Sequence, residues 1–221
     1  MYTEVKDISR VKEIVKVMAK LNYLSEDVIV EKLVESGALL DGHWRLLSGK
    51  HSSIFLKFRR IAEKCNNGFL GLIAKELTDK FKSIKIDVVL GPETAGALLV
   101  DKVSAELNVR PALVKANKDG RPLSKLLLNS EINEGDNVLI INDLVTTGKG
   151  LENLISLVES KKANIAGIGL FATRDQSVIE RLRSKVANTQ VLITMNIKHY
   201  DHHSCELCQN NVELENGANH N

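Results

Sequence analysis

The sequence predicts an α/β protein with a central parallel sheet and helices on both of its faces. Three observations carry that expectation. Short β-branched runs alternate with amphipathic stretches along most of the 221 residues. The run 138–141 is continuously apolar, as a strand covered on both faces must be. Strands met one at a time between helices need crossover connections, and crossovers build parallel sheets. Ligands of such sheets bind beyond the carboxyl ends of the strands.

Residues 7–21 carry Ile8, Val11, Ile14, Val15, Met18 and Leu21 at helical spacing, with lysines opposite. Ser25 is placed to cap a second helix, and Gly37 to stop it. Residues 38–58 read as short strands around the polar turn Ser48-Gly49-Lys50-His51-Ser52. Helices are then expected over 68–81, 94–107 and 147–160. Strands are expected over 86–90, 109–114, 138–141, 165–172 and 190–197. The boundaries expected are an N-terminal helical and hood segment over 1–60, an α/β core over 61–200 and a polar tail over 201–221, frayed from Glu213.

Composition narrows the function. A net charge of +2 offers no broad basic face for nucleic acid or a membrane surface. No apolar run is long enough to span a bilayer, and the polar start does not read as a signal peptide. Three cysteines, an odd number, argue against a disulfide framework and for a reduced, cytoplasmic protein.

The segment Val138-Leu139-Ile140-Ile141-Asn142-Asp143-Leu144-Val145-Thr146-Thr147-Gly148-Lys149-Gly150 carries the chemistry. A buried strand ends in a carboxylate, and a Thr/Gly turn opens a helix. Thr146 and Thr147 offer hydroxyls. Gly148 and Gly150 let backbone N–H groups approach a phosphate at the positive end of the helix. Asp143 can accept hydrogen bonds from sugar hydroxyls. An ordinary strand–turn–helix junction would explain a bare Thr-Thr-Gly, but not the whole pattern. The spacing is not that of a Walker A loop.

This segment resembles the phosphoribosyl pyrophosphate (PRPP) motif of type I phosphoribosyltransferases, and the chain is most similar to the orotate phosphoribosyltransferase family. Trp44-Arg45-Leu46-Leu47-Ser48-Gly49-Lys50-His51-Ser52 resembles that family's Phe-x-Leu-x-Ser-Gly-x-x-Ser stretch. Gly91-Pro92-Glu93-Thr94-Ala95-Gly96 resembles its pyrophosphate loop, and Lys115-Ala116-Asn117-Lys118-Asp119 its mobile catalytic loop. Arg174, in Ala172-Thr173-Arg174-Asp175-Gln176, stands where the family has an arginine that meets orotate. The resemblances keep chain order from about residue 38 to 208.

The resemblance implies the type I phosphoribosyltransferase fold with a small hood, a homodimer, and Mg²⁺-dependent transfer of phosphoribose from PRPP to orotate. It implies that Asp143, with Asn142, binds the ribose and that Thr146, Thr147, Gly148, Lys149 and Gly150 hold the 5′-phosphate. Glu93, Thr94 and Ala95 would face pyrophosphate. Lys115 and Lys118 would stabilise the leaving group, and Arg174, Ser48 and Gly49 would hold the base. A solvated loop is the plainer account of the two lysines, and a surface arginine that of Arg174.

The chain departs from the family pattern at Asn142, which stands in place of an acid and brings no charge toward Mg²⁺. It departs also at Leu47 and Ala95, where some members place lysine, and at Gly120 and Arg121 in the lid. Transfer to another base, or a non-catalytic PRPP or nucleotide sensor, are the alternatives. In the tail, Cys205-Glu206-Leu207-Cys208 has metal-ligand spacing, with His199, His202 and His203 upstream. The lack of a second compact pair favours packed thiols, with structural zinc at Cys205 and Cys208 as the alternative.

Overall fold

The computed structural model describes residues 2–18, 20–46, 48–65, 67–117 and 122–217, the side chain of Asn67 excepted. The chain opens with β1 (Thr3–Glu4) and α1 (Ile8–Ile14), then β2 (Val15–Val17) and α2 (Glu26–Ser36). Here the periodicity over 7–21 misleads. The helix ends at Ile14, and β-branched Val15 and Val17 pair with Met195 and Ile193. A sheet edge in need of a partner outweighs a weak helical pattern. The caps of α2 are as expected: Ser25 Oγ accepts from Val28 N at 3.2 Å, and Gly37 takes the left-handed conformation at φ 59°.

Strands β3 (Leu39–Arg45) and β4 (His51–Leu56) form an antiparallel hairpin. Next come α3 (Arg59–Lys64), α4 (Asn67–Asp79), β5 (Val88–Pro92), α5 (Ala97–Leu107) and β6 (Arg110–Ala116). Then come β7 (Pro122–Leu126), β8 (Asn137–Val145), α6 (Lys149–Ser160), β9 (Asn164–Thr173), α7 (Gln176–Lys185) and β10 (Thr189–Met195). The pattern over 173–189 had not revealed α7, whose apolar side is only Val178, Ile179 and Leu182 on an otherwise charged helix.

The main sheet runs β2-β10-β9-β8-β5-β6-β7. From β10 to β6 the neighbours are parallel, and the two edge strands are antiparallel. Strand β8 shows why the 138–141 run is continuous. Leu139 and Ile141 join the cluster of Leu77, Phe81, Leu99 and Val103 on one face. Val138 and Ile140 join Leu154, Val158, Ile179 and Leu182 on the other. All four residues of the run are fully buried, so alternation disappears from the sequence.

The hood is a second sheet, ordered β1-β3-β4 and closed by β11 (His199–Tyr200) on β4. The tail supplies more than was expected of it. Cys205 begins α8 (Glu206–Gln209), and β12 (Glu215–Asn216) pairs in parallel with Trp44 and Arg45 of β3. Fraying from Glu213 is therefore wrong through Asn216, because those backbone groups find partners on β3. Among the described residues no helix is long and apolar enough to cross a membrane.

Candidate active site at the switch point of the sheet

The chain turns in opposite directions from the centre of the main sheet. From β5 it moves to β6, and from β8 it moves the other way to β9 and β10. The carboxyl ends of β5 and β8 therefore border a crevice that no crossover covers. A cavity of about 530 Å³ opens there. It is lined by Thr94 and Ala95 after β5, by Asn142, Asp143 and the turn from Thr146 to Gly150 after β8, and by Ser48 and Arg174.

The turn from Thr146 to Gly150 is held in shape from below. Gly148 sits at φ 77°, and a Cβ there would lie 3.1 Å from Val178 Cγ1 and 3.3 Å from Arg181 Nη2. Arg181 donates to the Thr147 carbonyl, which turns that oxygen toward α7. The turn thus delivers its N–H groups and threonine hydroxyls to the mouth of α6, a setting suited to an anion.

At the floor, Asp143 is half-buried, and desolvation raises its carboxyl pKa from 3.8 to about 6. The backbone N–H groups of Leu144 and Asp143 itself pull the other way. Asn142 Oδ1 is buried without a hydrogen-bond partner among the described residues. Unpaired buried oxygens are costly, and Asn142 is among the residues lining the cavity, where a ligand donor that reached this oxygen would satisfy it.

Arg174 forms the opposite wall. Its guanidinium donates to Ser52 Oγ at 3.0 Å and to the Ile54 carbonyl at 2.9 Å, while Nε has no partner among the described residues. It is only 5% exposed, and burial alone lowers its pKa to about 10. A buried cation with no acid paired to it among the described residues is a place for a bound anion. Ser52 belongs to the turn named from the sequence, but its bond to Arg174, and the part of Ile54, were not legible there, since both rest on a contact some 120 residues away along the chain.

Other expected residues lie elsewhere. Glu93 does not line the cavity. Its carboxylate accepts from Ala116 N at 2.8 Å and so anchors the end of β6. Lys115 is exposed on β6, away from the cavity lining, and Gly49, at φ 86°, shapes the hairpin turn beside Ser48. Lys118, with Asp119, Gly120 and Arg121, lies outside the described residues, as does Leu47. Asn117 and Pro122, on the two sides of that stretch, both line the cavity. The far rim includes Phe55, stacked on Trp44 with ring centroids 5.0 Å apart.

The cavity at the switch point thus brings together a half-buried carboxylate, a glycine-bearing turn at the start of a helix and a buried arginine. The model of the phosphoribosyl transferase domain family matches residues 56–201, and the chain belongs to that family. An orotate phosphoribosyltransferase of Thermoanaerobacter sp. (strain X514) is 32% identical over 86% of this chain and 96% of its own length. Among solved structures, Leishmania donovani UMP synthase matches with a TM-score of 0.59 and 26% identity over 73% of this chain, which spans 34% of that protein. Orotate phosphoribosyltransferase from Aeropyrum pernix matches in fold, with a TM-score of 0.58 at 19% identity, over 74% of this chain and 90% of that one.

Proposed function

We propose that this chain transfers the 5-phosphoribosyl group of PRPP to orotate, releasing pyrophosphate, as a cytoplasmic homodimer serving pyrimidine nucleotide synthesis. The observation that carries this reading is Arg174. It faces the same cavity as the phosphate turn, and it lacks the anion that a buried guanidinium needs.

In this reading the 5′-phosphate sits on the N–H groups and hydroxyls of Thr146, Thr147, Gly148 and Gly150, with Lys149 at the edge. Asp143 accepts hydrogen bonds from the ribose hydroxyls, and Asn142 Oδ1 accepts a further one. Thr94 and Ala95 border the pyrophosphate. The carboxylate of orotate meets Arg174, and the Ser48–Gly49 turn covers the base. A ring nitrogen of the base attacks the anomeric carbon as the bond to pyrophosphate breaks, through a state resembling an oxocarbenium ion. Charge grows on pyrophosphate, and Lys115 and Lys118 of the lid offset it.

Mg²⁺ fits this floor. It takes oxygen ligands and shares them with substrate phosphates. Asp143 and the unpartnered Asn142 Oδ1 are the side-chain oxygens present to hold it. Once bound, it would neutralise the departing pyrophosphate. Asn142 contributes no charge, so the substrate and Asp143 must supply more of the binding.

The deciding experiment measures pyrophosphate release from PRPP and Mg²⁺ with orotate, then with a panel of other bases. Turnover with orotate is expected. Turnover only with another base would move the substrate. PRPP binding without turnover on any base would replace the enzyme with a sensor.

A further inference from the structure

We propose that the hood carries a structural zinc site, formed by His43, His51, Cys205 and Cys208, that fastens the Cys205–Asn216 segment to the β3–β4 hairpin. The inference rests on the hood alone and stands whatever base the cavity takes.

These residues come from two distant stretches of chain. His43 and His51 lie either side of the hairpin turn, and His51 is paired opposite Arg45. His43 is therefore its diagonal neighbour on the same face. The pairing slips between Asp41 and Trp44, so this bulge resets which side chains point inward, and His43 and Trp44 are both buried. The segment after β11 then carries Cys205 and Cys208 against the two imidazoles.

One ligand atom from each residue falls in a single cluster, every pair within 4.8 Å. His43 Nε2 lies 3.0 Å from His51 Nδ1, 3.5 Å from Cys205 Sγ and 3.6 Å from Cys208 Sγ. Cys208 Sγ is 3.2 Å from His51 Nδ1. A tetrahedral zinc, with Zn–N about 2.0–2.1 Å and Zn–S about 2.3 Å, spaces its ligand atoms about 3.3–3.8 Å apart. The side chains already stand close to that spacing.

The outer contacts agree. His43 Nδ1 lies 2.8 Å from the Val212 carbonyl. A carbonyl only accepts, so Nδ1 carries the proton and Nε2 presents its lone pair to the cluster. Two nitrogens and two sulfurs then converge in a buried place, and one cation satisfies them together. Two thiolates balance the charge of Zn²⁺, and two neutral imidazoles complete the set, which suits a position where Cys205 and His43 are buried. Soft thiolates with imidazoles in a four-ligand set select zinc over Mg²⁺. With all four ligands from the protein, the site has no open position and is structural.

The upstream histidines of the tail are not the partners. His202 Nδ1 reaches Cys208 Sγ at 3.5 Å but lies outside the four-residue group and is exposed, while His199 sits in β11 opposite Ser52.

The test uses full-length protein purified without a polyhistidine tag. Mass spectrometry of the native protein, with elemental analysis, should find about one zinc per chain, retained in excess Mg²⁺. Stripped protein titrated with Co²⁺ should develop thiolate-to-cobalt charge transfer and the intense visible bands of a tetrahedral ion. Chelation should lower Tm, and zinc but not magnesium should restore it. The Cys205→Ser/Cys208→Ser variant should lose the metal. If that variant does not fold, the cobalt spectrum of the wild-type chain decides. Wild-type protein that holds no zinc after incubation and gel filtration would overturn the proposal. So would a cobalt spectrum without the thiolate band, a double variant that keeps its zinc, or a Cys205–Cys208 disulfide in untreated protein.

Discussion

Asp143 is held where ionisation is disfavoured, and its carboxyl pKa stands at about 6 instead of 3.8. A raised acid favours the fold while it stays protonated. That contribution is whole below pH 3.8 and is lost as pH rises through about 6. Asp143→Asn, measured in Mg²⁺-free buffer without PRPP, should therefore be as stable as wild type near pH 4. It should be more stable by about 1–3 kcal/mol above pH 7. Equal thermal melts at both pH values would show that the carboxylate is not strained. On the proposed reading, in which Asp143 receives the ribose, the same variant, and more so Asp143→Ala, should lose PRPP binding by isothermal titration. Arg174→Lys keeps a cation but not the fork that spans Ser52, Ile54 and a ligand. Its KM for orotate should rise about tenfold or more with PRPP affinity unchanged. Equal losses for both substrates would place Arg174 in the hood's structure and not at the base.

Strand β8 and the turn into α6 were legible because everything they need is local: an apolar run, a carboxylate, then glycine where φ is positive. Gly148→Ala tests that turn. The left-handed φ and the nearby Val178 should make it cost about 1 kcal/mol or more in denaturant unfolding, with weaker PRPP binding. Elements set by distant partners were not legible. Glu76 is an example: as one polar position in α4 it drew no notice, yet it is fully buried. Its carboxylate accepts from the backbone N–H of Asn22, Tyr23 and Leu24, and so moors the loop before α2. Glu76→Gln should lower stability by about 3 kcal/mol, since an amide turns N–H donors toward donors. A melt unchanged from wild type would show that the loop holds itself. The histidines of the hood did leave a signal that was passed over. His43 and His51 both lie on the strands that flank a polar turn, where His51 pairs with Arg45 and His43 is its diagonal neighbour.

At the scale of the whole molecule, the cavity is walled by both sheets, so hood and core act as one site. Strand β6 ends at Ala116 and β7 begins at Pro122, whose carbonyl accepts from Asn153 of α6 at 3.0 Å. In the homodimer proposed above, Lys118 of one chain serving the site of its neighbour is an arrangement that mixing can test. Mixing inactive Lys118→Ala and Asp143→Ala proteins should then restore part of the activity, because hybrid dimers contain one complete site. Mixtures as inactive as their components would confine each lid to its own chain. The fold class was legible at this scale because strand–helix alternation fixes a parallel sheet. The construction of the hood from both ends of the chain was not, because neither Thr3–Glu4 nor Glu215–Asn216 has a pattern of its own.

That two-ended hood sets an order of assembly. Every strand of the main sheet has been synthesised once Met195 emerges, but β3 and β4 still wait for Glu215–Asn216 and His199–Tyr200. On the ribosome the phosphate turn can therefore take shape while the roof above it still has open strand edges, the state in which a nascent chain is most prone to pair with the wrong neighbour.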